Sequence, residues 1–262
     1  MSSQSIDSLI AQCQSGDART QISTMLDLEE ARAVRALPVI LPLLTSEDED
    51  VRATAARVLG RLGDPDPDRV GAALEAQLTD PDGSVRNQVA EALGILRYAP
   101  ARAALERALG HDDEWVVRCS AAEALAELGD IHAMDALEAA LADEVEPVRG
   151  YAVRAIGLLG NESHGPIIAR RLAVETEPGL RGDLLAAAAR LGDDSALDEL
   201  MLLADDATGD LMVELHGTVV DLIESPHHSM IATRVAELSR TARNPRLKER
   251  LAELVKAGDV SE

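Results

Sequence analysis

The stretch Val51-Arg52-Ala53-Thr54-Ala55-Ala56-Arg57-Val58-Leu59-Gly60-Arg61-Leu62-Gly63-Asp64 is the unit from which the chain is built. The same order of residue types returns at 85–94, 117–130, 148–160 and 180–193. Weaker copies begin at Ala18, Leu211 and Leu247. The second position of the copies is Arg19, Arg52, Arg86, Arg118, Arg149 and Arg181, then Met212 in place of a base, then Lys248. Successive copies are 31 to 36 residues apart, giving eight units and leaving almost no chain unassigned. Self-similarity at a fixed period of this length marks a repeat array, in which each unit buries its apolar face on its neighbours.

Each unit contains two helices. The quoted phrase is the second. Counting from Val51, its apolar residues sit at offsets 0, 4, 5, 8 and 11, one stripe of an α-helix. Small residues at offsets 5 and 9 permit close approach of a neighbouring helix. The terminal Gly-Asp ends the helix, with glycine free to take the left-handed conformation a helix end needs. The spacing places first helices at 33–44, 70–78, 101–109, 133–141, 166–172 and 196–203. No stretch sustains strand alternation, so the fold class is all-α.

The phrase resembles the HEAT repeat, and more closely the HEAT-like subtype of the phycobilisome lyase kind. The resemblance covers roughly 17–258 and implies a right-handed α-solenoid, an alpha-alpha superhelix of about eight two-helix repeats with an armadillo-type fold. The family pattern has an Asp six residues before the Arg. Asp80, Asp112, Asp143 and Asp206 hold that place, Glu175 is a variant and Ser46 a departure. The family proline that kinks the first helix is present as Pro38 and mostly missing elsewhere. The resemblance implies a structural ladder of Arg52, Asp80, Arg86, Asp112, Arg118, Asp143, Arg149 and Arg181 tying adjacent units together. A guanidinium is a rigid fork of donors that can bridge a carboxylate and loop carbonyls. The rival reading, a basic track for phosphates, is weakened by the acidic partners that recur with most of these arginines.

Composition agrees with one repeat domain. The chain has no Phe, one Trp (Trp115) and two Tyr (Tyr98 and Tyr151), which suits thin Ala/Leu layers between helices. Helices packed about 8–10 Å apart would string eight units into an arc roughly 70–80 Å long. Residues 1–16 read as a cap or frayed segment, 17–258 as the solenoid and 259–262 as a tail. Ser225-Pro226 interrupts the array and invites a bend.

The formal charge is −22, and 23 of the 25 basic residues are Arg. Nucleic-acid binding calls for a basic surface, so this composition argues against it. An acid-rich, Lys-poor chain suits a high-salt cytoplasm, where charge preserves solubility; a GC-rich genome is the competing explanation. The start lacks a basic region followed by an apolar run, and no segment approaches the roughly 18 apolar residues of a membrane span. Cys13 and Cys119 lie in different units and do not form a pair. A reduced, cytoplasmic setting, no membrane and a monomer are the expectations.

Little in the sequence is chemistry. Adjacent residues on a helix point about 100° apart, so His227-His228 is a poor metal pair, and no further Cys or His lies at ligand spacing. His216 takes a position normally filled by a small core residue. The runs at 47–50 and 205–206 read as turn acids that cap helices. A calcium loop would need alternating oxygen ligands about a central Gly, which neither run has. The expectation is a non-enzyme with no cofactor and no metal.

What remains is surface. Offsets 3, 6 and 10 of the second helix point away from the packed layer, toward an inner, concave wall. That row contains Arg57, Arg61, Ile95, Tyr151, Arg154, Leu158 and Arg190, residue types that anchor interfaces, and it is the candidate protein-binding face. Trp115, before the third phrase, reads either as a staple between units or as an exposed anchor. Three function classes compete: a protein-interaction scaffold or adaptor, a phycobilin lyase-type chromophore-handling factor and a DNA-binding HEAT-like repair protein. Three aromatics are few for a bilin cleft, and the acidity argues against DNA.

Overall fold

The apolar stripe at offsets 0, 4, 5 and 8 does what its spacing requires: Val51, Ala55, Ala56 and Leu59 are buried, as are their counterparts Val85, Val89, Ala90 and Leu93. The structure is a computed structural model that describes residues 5–63, 65–223, 237, 240, 242–249 and 253. Asp64, the Ser225-Pro226 interruption, the His227-His228 pair and the tail 259–262 lie outside the described residues, as do the side chains of Met212 and His216. The described residues are helices and turns without strands.

The chain divides into two units, Met1–Ala140 and Leu141–Glu262. The first holds α1 (Ile6–Ser15), α2 (Ala18–Glu30), α3 (Leu37–Ile40), α4 (Glu49–Leu62), α5 (Pro67–Glu75), α6 (Gly83–Ile95), α7 (Arg102–His111), α8 (Trp115–Leu128) and α9 (Met134–Ala140). Here the second helices stack in order, α2 on α4 on α6 on α8, with first helices packed alongside. The second unit holds α10 (Glu146–Leu159), α11 (Gly165–Leu172), α12 (Pro178–Arg190), α13 (Asp194–Asp206) and α14 (Gly209–Ile223), in which α12 packs between α10 and α14. Each unit is thus a stack of two-helix repeats, the building plan of an α-solenoid.

The acidic turns start helices. Asp48 Oδ1 accepts from the Val51 amide at 3.1 Å, and Asp82 Oδ1 accepts from the Ser84 and Val85 amides at 2.9 and 3.2 Å. Two expected first helices change: 70–78 is α5 continued by a 3-10 segment, Ala76–Thr79, and 33–44 departs further. The stretch 33–44 is not a single helix but a 3-10 turn, the four-residue α3 and a second 3-10 segment, Leu41–Thr45. Pro42 follows Pro38 four residues later, and each removes a helical N–H donor.

Glycine at the helix end has two uses rather than the expected one. Gly129 and Gly192 adopt the left-handed conformation, with φ of 72° and 99°. Gly63 and Gly160 do not. Their reason is space: a Cβ would come within 2.6 Å of the Leu59 and Ile156 carbonyl oxygens respectively. In the copy without this glycine, Arg97 takes the left-handed conformation instead, with φ of 50°. The glycine at offset 9 is a packing device. A Cβ on Gly60 would lie 2.7 Å from Ala92 Cβ, on Gly94 2.8 Å from Ala124 Cα, and on Gly157 3.1 Å from Ala187 Cα. Each contact is with the alanine at offset 7 of the following repeat.

The repeated arginines lie across the turns between repeats. Arg52 Nε and Nη2 donate to the two carboxylate oxygens of Asp80 at 2.7 and 3.0 Å, while its Nη1 donates to the Ser46 carbonyl at 2.9 Å. Arg86 repeats this on Asp112, at 2.7 Å twice, with Nη1 on the Asp80 carbonyl at 2.9 Å. Each acid also closes its own turn: Asp80 Oδ1 accepts the Asp82 amide at 2.9 Å and Asp112 Oδ1 the Glu114 amide at 3.0 Å. Arg118 donates to the Asp112 carbonyl and Arg149 to the Asp143 carbonyl, both at 2.9 Å. Arg149 Nε also lies 3.7 Å from buried Glu175, which is held by Arg171. Arg181 turns to Glu199 at 3.0 Å and to the carbonyls of Leu172 and Glu175 at 3.1 Å. Arg19 would need an acid at position 46; the residue there is Ser46, and Arg19 is exposed. Near the Asp206 position, the neighbouring Asp205 is the more enclosed acid, and it accepts from the Arg243 and Asn244 amides at 2.8 and 2.6 Å.

Burial pushes the carboxyls of Asp80 and Asp112 upward, but hydrogen bonds from Arg52 and Arg86 and from the turn amides outweigh it and hold both below the usual range. For Glu175 the same contest, won by Arg171 and the Glu177 and Thr176 amides, brings the value to about 2. A carboxyl depressed in the folded state stabilises it above the unfolded pKa of about 4, and that contribution is lost as pH falls toward the folded value. Thermal unfolding should therefore be flat from neutral pH to about pH 5 and drop steeply below it. Asp112→Ala, which strands the Arg86 fork, should cost about 2–4 kcal/mol at neutral pH and shallow the acid limb. An unchanged acid limb in Asp112→Ala would show that these pairs do not govern acid stability.

The glycine geometry gives a prediction of opposite signs. Alanine is the better helix former by about 1 kcal/mol, yet Gly60→Ala and Gly94→Ala should destabilise by about 1–3 kcal/mol because their Cβ has no room. Gly150→Ala should stabilise by about 0.5–1 kcal/mol, since its Cβ meets nothing closer than 3.6 Å. Urea titrations of the three variants would check the signs.

Candidate protein-interaction site

The exposed row of second helices divides between the two units. In the first, Arg57 and Arg61 sit one turn apart on α4 and both reach the same acid, Glu29 of α2, at 3.1 and 3.0 Å. Sequence reasoning read them as outward bases and missed Glu29, which stands at offset 11 of the first, weaker copy, where Leu62, Leu96, Leu128, Leu159 and Leu191 stand in the others. With Ile95 of α6 they line a shallow groove of about 850 Å³ that also shows Leu26, Val34 and Pro65. Ile95 is 47% exposed.

In the second unit, Tyr151 and Arg154 of α10 and Arg190 of α12 line one cavity of about 300 Å³. Leu158, one turn beyond Arg154, is 47% exposed and is not part of the lining. Room is made by Gly150 and Ala186. The sequence reading placed Ala186 outward at offset 6; the structure buries it, because the cavity floor forms there. The walls carry acids as well as bases: Glu146 in the first turn of α10, and Asp183 of α12, whose Oδ1 accepts from the Thr218 hydroxyl at 3.2 Å. Glu146, Gly150 and Thr218 were missed. Gly150 had a signal, since a glycine inside a strong helical phrase weakens the helix without a local reason.

Trp115 opens α8 and is 45% exposed. Cys13 and Cys119 are both buried, and burial raises the Cys13 thiol above its ordinary value. Among the described residues no group of three or more His, Cys, Asp or Glu could hold a metal ion, and no helix is long and apolar enough to cross a membrane. The arrangement offers shaped, mixed-charge surfaces built on rigid helices.

Comparison with known proteins agrees with this architecture. The family described as HEAT repeats matches residues 6–70 and 71–149, more than half of the chain. A HEAT repeat-containing taxis protein of Halobacterium salinarum is 33% identical over 168 residues, 64% of this chain. The chain spans 37% of that relative's length. Among solved structures, the CpcE–CpcF complex of phycocyanin lyase from Nostoc is similar with a TM-score of 0.58 at 21% identity, covering 91% of this chain and 96% of that one. YibA of Escherichia coli is similar with a TM-score of 0.59 at 16% identity, covering 97% and 93%. At these identities the structural likeness speaks for the fold, which with the profile match over 6–149 places the chain in the HEAT-repeat family.

Proposed function

We propose that this chain is a non-catalytic adaptor that binds a protein partner through the exposed row of its second helices, acting as a monomer in the cytoplasm. One observation carries the reading. Residues picked from two different copies of the repeat, Tyr151, Arg154 and Arg190, converge on a single cavity rather than scattering over a solvated face. Concave sites with a few convergent polar groups on a rigid scaffold are where proteins bind. The name of the Halobacterium relative adds a setting, a taxis apparatus, in which an adaptor would join signalling components. The −22 charge opposes nucleic acid as the partner.

The acidity has a second consequence. A chain this acidic, with a relative in a halophile, is adapted to high salt, where screening relieves its self-repulsion. Its melting temperature should climb as potassium chloride is added, and a flat curve would refute the adaptation.

The adaptor reading is tested by capture from native lysate with mass spectrometry, comparing the wild type with Tyr151→Ala and Arg154→Glu. A stoichiometric partner lost in both variants is expected. Arg57 and Arg61 are poor choices for reversal, because they hold Glu29 and their loss would disturb α2. A partner retained by both variants would remove the cavity from the reading, and the absence of any stoichiometric partner would overturn the reading itself.

A further inference from the structure

The walls of the α10–α12 cavity carry their charges in a fixed order. A Cβ on Gly150 would face Leu180 and Asp183, and one on Gly157 would face Ala187 and Arg190, so the two helices run side by side in the same direction. On α10, Glu146 precedes Arg154 by eight residues, about 12 Å along the axis. On α12, Asp183 precedes Arg190 by seven, about 10 Å. Both walls therefore place an acid toward one end and a base toward the other. Between them lie Tyr151 and the space above Gly150.

We infer that this cavity receives an extended peptide segment carrying a basic and an acidic side chain four residues apart, with an apolar residue midway. The inference rests on the adaptor reading and names the chemistry of its ligand. Three magnitudes select it. A free α-amino acid carries its two charges on groups bonded to the same carbon and cannot span about 12 Å. A helical segment is about 10 Å across, whereas an extended one can lay a single row of side chains into an open cavity of about 300 Å³ and keep its backbone and remaining side chains outside. An extended chain advances about 3.4 Å per residue, so positions i and i+4 lie about 14 Å apart, and the period of two points both to the same side. Position i+2 points there as well and meets the Tyr151 ring. The basic side chain pairs with Glu146 and the acidic one with Arg154, which is exposed. An acid at i+3 would point away from the cavity. A segment of this kind has no net charge, so the field of a −22 chain does not repel it.

The protein supplies its own reporter, because its two tyrosines, Tyr98 and Tyr151, belong to different units. With fluorotyrosine in both, fluorine NMR follows two signals, and Tyr98 is the internal reference. The probes are blocked Lys-Ala-Leu-Ala-Glu and Glu-Ala-Leu-Ala-Lys, with Lys-Ala-Leu-Glu-Ala as the out-of-phase control, in the lowest salt at which the protein stays folded. One of the first two peptides should shift the Tyr151 signal saturably and leave Tyr98 still. Arg154→Ala should weaken that binding about tenfold. Gly150→Leu should abolish it by filling the cavity, while Gly150→Ala, whose Cβ has room, keeps the fold as a control. Equal response to the out-of-phase peptide, or none at Tyr151 to either matched peptide, overturns the inference. Should the peptides fail while Arg154→Glu still loses a lysate partner, the adaptor stands and the dipolar ligand falls. Should they bind while no lysate partner exists, the cavity assignment stands and the adaptor falls.

Discussion

The structure depends on one small arrangement repeated along the chain: an aspartate at the turn between two helices that is used three ways at once. Asp80 illustrates it. Its carboxylate caps its own turn through the Asp82 amide, grips Arg52 of the preceding repeat, and its carbonyl accepts from Arg86 of its own. One residue therefore fixes a turn, joins two repeats and orients the next arginine. A repeat protein has no central core, so its cohesion is a sum of nearest-neighbour terms. A bidentate, partly buried ion pair is directional where apolar contact is not, and it sets the register in which apolar stripes meet. Without it, Ala- and Leu-faced helices could slide one turn and still bury similar area.

Close approach is the second constraint, and it follows from the first. Once the turns are tied, α4, α6 and α8 come near enough that Gly60 and Gly94 touch the alanines of the next helix. This explains the composition. Phenylalanine is absent because the layer between stacked helices is one small side chain thick. The same thinness turns a single missing side chain into a cavity: at Gly150, where the facing residue is Asp183 at ordinary contact distance, the layer opens into the α10–α12 pocket.

Most of the fold was legible because period and residue type agreed at every copy. The buried stripe, the helix pairs and the basic position at offset 1 could all be read from 51–64 and its repeats. What could not be read was where a side chain goes once it leaves its helix. The phrase shows Arg57 and Arg61 as outward bases, yet both bend to Glu29, an acid at offset 11 of the first copy where the other copies have Leu, because that carboxylate lies within reach of both. Offset 7 was overlooked although Ala92, Ala124 and Ala187 stand there; their smallness has meaning only beside the glycine of the previous repeat. The broken first helix at 34–45 was half visible in Pro38, while Pro42 completed it. Glu146 gave no periodic signal and Gly150 only the local one of a glycine inside a helical phrase, since a site is a departure from the repeat.

The charge balance now has a structural meaning. The arginines of the turns are paired with aspartates or glutamates, so they cancel acids inside the stack and leave the outer surface to the remaining carboxylates. An exposed arginine such as Arg154 is then a local exception in an acidic field. Beyond a Debye length of about 10 Å at 0.1 M salt the net charge is largely screened; within that distance an approaching partner meets individual charges in a fixed order. Such a surface discriminates by pattern rather than by sign. High salt strengthens this selectivity, because screening removes the long-range component first and leaves contact pairs and apolar burial to decide which segments stay bound.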